Sequence, residues 1–117
     1  AEKDFGAFLN NQRIRVSSKK SLNECLFATG GKKEIKSKLN IRKSGSAALD
    51  LAYVASGRFD GYFQDELNLW DIAAGLILVT EAGGKTNNLD HSSINNLKVN
   101  AASNAIYEKM LENLDKF

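Results

Sequence analysis

The sequence predicts an α/β fold, a layered sheet of mixed strand direction flanked by helices. Three observations carry this expectation. Short apolar or alternating runs, closed by Gly and Asn, recur between longer helical patterns. Two of those helical patterns have legible ends. The N-terminal stretch GAFLNNQRIRVS alternates Ile14 and Val16 with Arg13 and Arg15 about an Asn10-Asn11 pair, the pattern of a β-hairpin.

The elements follow in order. ECLFATGG is a short apolar run closed by two glycines, read as a buried strand. GKKEIKSKLNIRKS is polar and basic. It reads as a solvated connection, or as a short helix carrying Ile35 and Leu39 four residues apart; an anion-recruiting patch is the other reading. SGSAALDLAYVASG is a helix, with Ser44 as candidate N-cap and Gly57 in the left-handed position after its end. RFDGYFQ follows as a strand. A helix over 69–82 is stopped by Gly83-Gly84, and its apolar residues cover nearly every face, which predicts burial between layers. KTNN and LKVNAAS read as strands; in the second, Leu97, Val99 and Ala101 alternate with Lys98 and Asn100. NAIYEKMLENLDKF closes the chain as an amphipathic helix with Ile106, Met110, Leu111 and Leu114 inward.

Composition bounds the function. The chain has 117 residues, one domain's worth or part of a larger one. Its formal net charge of +2 is too balanced to argue for nucleic acid or a membrane surface by itself. No run approaches the ~20 apolar residues that span a bilayer. The one cysteine, Cys25, has no internal partner, which suits a reducing compartment; in the run CLFA it reads as a small buried hydrophobe rather than a nucleophile. The chain lacks an initiator Met and begins almost inside a patterned segment, so it is expected to be the C-terminal part of something longer.

The candidate site gathers at two helix starts. Asp71 falls in the first turn of the helix over 69–82, after the candidate N-cap Asn68. There the unpaired N–H groups and helix dipole stabilise an anion by ~0.3–1 kcal/mol. Asp71 is therefore either a helix-terminus carboxylate or an oxygen ligand for Mg²⁺, which takes one or two protein carboxylates plus water and phosphate. Gly45, Ser46 and Ala47 open the preceding helix. Such small residues permit either close packing on the sheet or approach of an anion or hydroxyl to the helix N–H groups. Arg42 could pair with a phosphate or with a surface acid. Gln64 ends its strand with an amide that both donates and accepts, as a polyol hydroxyl requires. Asp65 and Glu66 read as loop acids. His91 sits in a polar loop without a second ligand nearby. Glu81, at a helix C-terminus where the dipole opposes it, implies a specific hydrogen bond or ion pair. Tyr53 and Tyr62 read as core or interface aromatics.

Taken together, GSAALDLAYVASGRFDGYF followed by WDIAAGLILVTEAGG strongly resembles the inositol monophosphatase family in its bacterial branch. GAFLNNQRIRVS resembles the family's hairpin, and LKVNAASNAIYEKM its last strand and helix. The resemblance covers nearly the whole chain. It implies the C-terminal half of a layered αβαβα sandwich: a hairpin over 1–18 belonging to a sheet otherwise absent, and an α/β subdomain over 19–117. It further implies a cytoplasmic, often homodimeric, Mg²⁺-dependent phosphomonoesterase acting on inositol monophosphate or a related sugar phosphate. Asp71 would be a metal ligand, Trp70 would hold the helix start in place, and Arg42, Gly45, Ser46, Ala47 and Gln64 would line the substrate pocket. Gln64 stands where many members carry Glu.

Two departures accompany the resemblance. The family's other acidic motifs, Glu-Glu and D-P-x-D-G-T, do not occur in this sequence. The connection GGKKEIKSKLN is shorter than the family's. The chain by itself is thus expected to be inactive, with no catalytic residue of its own, and to work with the missing N-terminal half. Two alternatives stand beside this. One is a non-catalytic RNA- or protein-binding scaffold, with the basic stretch over 32–43 as its handle. The other is a phosphatase acting on a nucleotide bisphosphate, fructose bisphosphate or histidinol phosphate.

Overall fold

A computed structural model describes residues 6–9, 11–30, 39–87 and 94–114. The hairpin pairs β1 (Phe8–Leu9) with β2 (Gln12–Arg13), and Asn11 takes the left-handed φ of 64° that a tight turn demands. The other strands are β3 (Phe27–Thr29), β4 (Ile41–Lys43), β5 (Gly61–Leu67), β6 (Gly84–Thr86) and β7 (Leu97–Ser103). They form one five-stranded sheet in the order β4-β3-β5-β7-β6. β3 runs parallel to both β4 and β5, whereas β7 runs antiparallel to β5 and β6. The predicted mixed, layered α/β architecture is therefore the observed one.

Strand β4 was not expected. Only Ile41 of its residues is apolar, yet Asn40 O accepts the Phe27 N–H at 2.8 Å and the chain continues in parallel register with β3. Backbone pairing at a sheet edge needs no apolar pattern, so sequence periodicity gives no sign of it. Residues 31–38, including Ile35 and most of the basic stretch, lie outside the described residues, as does His91.

Helices α1 (Ala47–Ala55) and α2 (Leu69–Glu81) cover one face of the sheet, and α3 (Tyr107–Leu114) covers the other. The α1/α2 layer closes over Ala28, Leu51, Val54, Tyr62, Ile72, Val79, Val99 and Ala101. On the opposite face Ile106 and Met110 meet Cys25, Phe27 and Phe63. Successive residues of β5 point to opposite faces, so Tyr62 and Gln64 share the α1/α2 side.

Helix α1 is capped by Ser46, not Ser44: Ser46 Oγ accepts the Leu49 N–H at 3.2 Å. Ser44 instead donates to the Asp50 carboxylate. The C-terminus ends as predicted, with Gly57 at φ 81°. The Gly57 N–H bonds Val54 O and the Arg58 N–H bonds Tyr53 O, a Schellman closure. Tyr53 packs edge-on against Phe59 with ring centroids 5.5 Å apart.

Helix α2 departs from the expected burial on all sides. Ile72 and Val79 are buried, but Trp70, Asp71, Ala74 and Ile77 face outward. Among the described residues one sheet supports the helix pair, so α2 has a packing layer on one side. Gly75 sits where α2 touches α1: a Cβ there would lie 2.7 Å from Leu51 Cβ. Glu81 finds a partner in the hairpin, accepting the Gly6 N–H at 2.7 Å. With Val16 N–H donating to Ala82 O at 3.0 Å, this pins the hairpin to the end of α2.

Candidate functional site

The parallel strands β3 and β5 end on the same edge of the sheet as the N-termini of α1 and α2. A cleft of about 500 Å³ opens there, lined by Gly30, Gly45, Ser46, Ala47, Ala48, Gln64, Leu67, Trp70 and Asp71. Ligands of open α/β sheets commonly bind beyond the carboxyl ends of strands, where helix N-termini supply N–H groups.

Each wall has a local cause. Gly45 is held at φ 86°, and the space where its Cβ would stand is open. The chain thereby turns into α1 without a side chain over the first amides. Ser46 satisfies the Leu49 N–H, and the Asp50 N–H bonds Ser46 O at 3.0 Å. The N–H groups of Ala47 and Ala48 have no partner inside the helix. They face a cleft that can receive an anion or hydroxyl.

At the start of α2, Asn68 has the extended backbone of an N-cap, but its side chain makes no capping bond. The Leu69 N–H is taken by Ile94 O at 2.9 Å. Asp71 is exposed on the cleft wall, with no ion pair among the described residues. Trp70 is not packed beneath the helix start: it is 71 % exposed and forms a flat apolar wall beside Asp71.

Gln64 reaches the cleft from β5. Its Oε1 accepts the Tyr62 hydroxyl at 2.5 Å, and a Cβ on Gly30 would run into the carboxamide. Past Gln64, β5 slips register before Leu67, and Glu66 adopts φ 60°. This bulge carries Asp65 and Glu66 to the exposed rim, outside the cleft lining.

The cleft thus brings together Gly45, Ser46, Ala47, Gln64 and Asp71. Arg42 stands apart. Its register opposite Ala28 puts it on the α1/α2 face of the edge strand, but it is exposed, outside the lining, and donates to Ile41 O at 3.2 Å. Sequence reasoning missed Gly30, whose role depends on a neighbour 34 positions later, and Asp50. Asp50 is buried in the first turn of α1, with Oδ1 accepting from Ser44 and Oδ2 without a partner among the described residues. Burial pushes its carboxyl above the usual range, while the Ser44 bond pulls the other way. An acid inside an apolar run was the one available sign of it.

Asp71 fits a Mg²⁺ as one exposed carboxylate oxygen donor, without an ion-pair partner among the described residues. No group of three or more His, Cys, Asp or Glu residues suited to a metal occurs among the described residues. The donor set therefore suits a contribution to a metal site rather than a complete one.

A mixed, layered α/β sheet with a cleft at two helix N-termini defines an α/β protein whose cleft lies beyond the ends of its parallel strands. The comparisons narrow this. The sequence matches the inositol monophosphatase family over residues 1–116, and the chain belongs to that family. It is 46 % identical over 99 residues to an inositol-1-monophosphatase of Rhizobium meliloti, covering 72 % of this chain and 37 % of that protein. It is 44 % identical over 99 residues to the Nus factor SuhB of Xylella fastidiosa, covering 72 % of this chain and 36 % of that protein. The crystal structure of extragenic suppressor protein suhB from Bartonella henselae superposes with a TM-score of 0.84 at 36 % identity, over 99 % of this chain and 51 % of that one. The chain therefore spans about a third to half the length of these relatives.

Proposed function

We propose that this chain is the substrate-pocket and metal-contributing part of a Mg²⁺-dependent phosphomonoesterase that hydrolyses inositol monophosphate or a related sugar phosphate. The observation that carries this reading is the meeting of Gly45, Ser46, Ala47, Gln64 and Asp71 on one cleft at the starts of α1 and α2. Family membership supports the hydrolase class.

The chain's own groups have distinct tasks in this reading. The Ala47 and Ala48 amides and the positive end of α1 hold an anionic or hydroxyl oxygen. Gln64 hydrogen-bonds the polyol, and Trp70 presents an apolar wall to the ring. Asp71, at the start of α2, supplies one oxygen to Mg²⁺. When bound, the metal supplies charge neutralisation and activation of water for phosphate-ester cleavage. The remaining acids come from the N-terminal half, so the isolated chain is inactive. The full-length protein is a cytoplasmic homodimer in this reading, with 1–18 completing the other half's sheet.

The test is phosphate release from inositol monophosphate by the protein as its gene encodes it. Release depends on Mg²⁺, and Asp71→Asn lowers it at least ~100-fold, the upper end of what loss of a group supporting a metal costs. Equal turnover by wild type and Asp71→Asn rejects the role of Asp71. The name of the Xylella relative favours a second reading, a non-catalytic assembly module. Salt-sensitive RNA binding without phosphatase activity supports that reading.

A further inference from the structure

We propose that Ser44 and Asp50 are a positioning pair: their hydrogen bond ties the exposed turn at Gly45 to the buried face of α1 and holds the entry into that helix in one arrangement at the cleft. The inference rests on the phosphatase reading above and adds to it two side chains outside the cleft lining.

The argument starts from a turn that packing does not hold. Ser44, Gly45 and Ser46 are exposed, and beyond the chain neighbours no heavy atom lies within 4 Å of the place a Gly45 Cβ would take. Gly45 sits at φ 86°, and glycine has the widest choice of backbone conformations. Hydrogen bonds are left to fix the turn.

Three bonds close a ring around Gly45. Ser44 Oγ donates to Asp50 Oδ1 at 2.5 Å. The Asp50 N–H donates to Ser46 O at 3.0 Å. The Ser46 N–H donates to Ser44 Oγ at 3.2 Å. Each residue of the ring gives one bond and receives one. The Ser44 hydroxyl has a single proton and a second acceptor nearby, Ser46 O at 3.4 Å. That separation is long for an O–H donor, so Asp50 takes the proton.

Asp50 makes the ring an anchor. It is 1 % exposed, and the next residue, Leu51, belongs to the core between α1, α2 and the sheet. Its Oδ2 has no hydrogen-bond partner among the described residues. A buried carboxylate with one oxygen unmatched is costly, and Ala or Leu at that helix position would avoid the cost and form helix more readily. Stability alone gives no reason for an acid there. Tethering the turn gives one, because Asp50 is the buried side chain that Ser44 bonds.

With the ring closed, Ser46 Oγ caps the Leu49 N–H, and the Ala47 and Ala48 amides are left for the cleft. With the ring open, the turn must be ordered whenever a ligand binds, which weakens binding. A contact to the body of the substrate is made equally before and during the reaction. Its loss therefore raises KM and leaves kcat alone.

The experiment measures KM and kcat of the Mg²⁺-loaded protein as its gene encodes it, on inositol monophosphate. Ser44→Ala is expected to raise KM at least ~3-fold, with kcat unchanged within about twofold. Ser44→Thr keeps the hydroxyl and is expected to keep the wild-type KM. Asp50→Ala is expected to raise KM as far as Ser44→Ala does, and the double variant no further. A smaller rise in Ser44→Ala, an equal rise in Ser44→Thr, or additive effects of the two alanine substitutions overturns the proposal. The two Ser44 variants decide it without any change in the core, since Ser44 is exposed.

A second readout does not need turnover. Titration of inositol monophosphate onto the metal-free protein shifts the Ala47 and Ala48 backbone amide resonances, and Ser44→Ala needs at least ~3-fold more ligand for half the shift. Equal half-saturation in the two, or no shift in the wild type, overturns the positioning role. Absence of hydrolysis by the wild type overturns the phosphatase reading, while the amide titration still decides what Ser44 and Asp50 do.

Discussion

Ser44 Oγ donates to Asp50 Oδ1 at 2.5 Å, tying the residue just before the turn into α1 to a carboxylate buried under that helix. Asp50 is thereby half satisfied, and its folded-state pKa lies above the ordinary 3.8 because desolvation outweighs the Ser44 bond. The native state holds the proton more tightly than the unfolded chain. Stability linked to Asp50 is therefore complete below about pH 4 and is lost as pH rises through the folded pKa. Ser44→Ala raises that pKa further, so its cost grows from pH 4 to pH 7. The same substitution in an Asp50→Asn background shows no such growth. Thermal melts of the four variants at both pH values check this as a double-mutant cycle.

The N-cap assignment separates two serines that flank Gly45. Ser46→Ala removes the acceptor for the Leu49 N–H and costs about 1 kcal/mol at any pH. Denaturant unfolding detects it as a lower midpoint with unchanged slope. Ser46→Gly costs only a few tenths of that, because Gly is itself tolerated at the cap.

Gly75 is required by proximity rather than by backbone geometry. A methyl there meets Leu51 Cβ and Cδ1 at 2.7 Å, too close for a side chain anchored in the core. Overpacking costs ~1–3 kcal/mol, and the gain in helix propensity over Gly returns ~1. Gly75→Ala is expected to be destabilising by about 1 kcal/mol on balance, although it replaces the poorer helix former. Leu51→Ala beside it removes the Cγ and Cδ1 contacts and leaves only the Cβ contact, so the two substitutions are non-additive in denaturation experiments.

Cys25 is 2 % exposed and its thiol is pushed up to about 11, chiefly by burial and then by the Asp60 charge. It stays protonated at pH 8 and reacts with iodoacetamide far more slowly than an exposed cysteine. Alkylation followed by mass spectrometry measures this. The raised value also sets a sign for alkaline stability: it is retained below about 9, the ordinary thiol value, and falls as pH rises to about 11. Cys25→Ala lacks that part of the alkaline loss.

The sequence by itself determined the elements whose signal is local. The Asn-rich turn of the hairpin, the left-handed Gly57 after α1 and the run of α2 to its double glycine all depend on nearest neighbours, whereas the polar/apolar alternation of β7 stops at Lys98, since Asn100 is buried. Asp71, Gly45, Ser46 and Ala47 were legible for the same reason, since a helix start is written within a few residues. Only the tertiary structure decided the rest. β4 exists because β3 offers it a parallel partner, not because its own residues are apolar. The outward face of α2 follows from which layers are there to cover it. Cap choice between Ser44 and Ser46 turned on where the buried carboxylate of Asp50 came to rest, and the Glu81 partner lay 75 positions away at Gly6. The orientation of Gln64 depends on Tyr62 beneath it and on the space above Gly30. Such relations join residues distant in the chain through packing and hydrogen bonding, and no period or spacing in one segment encodes them.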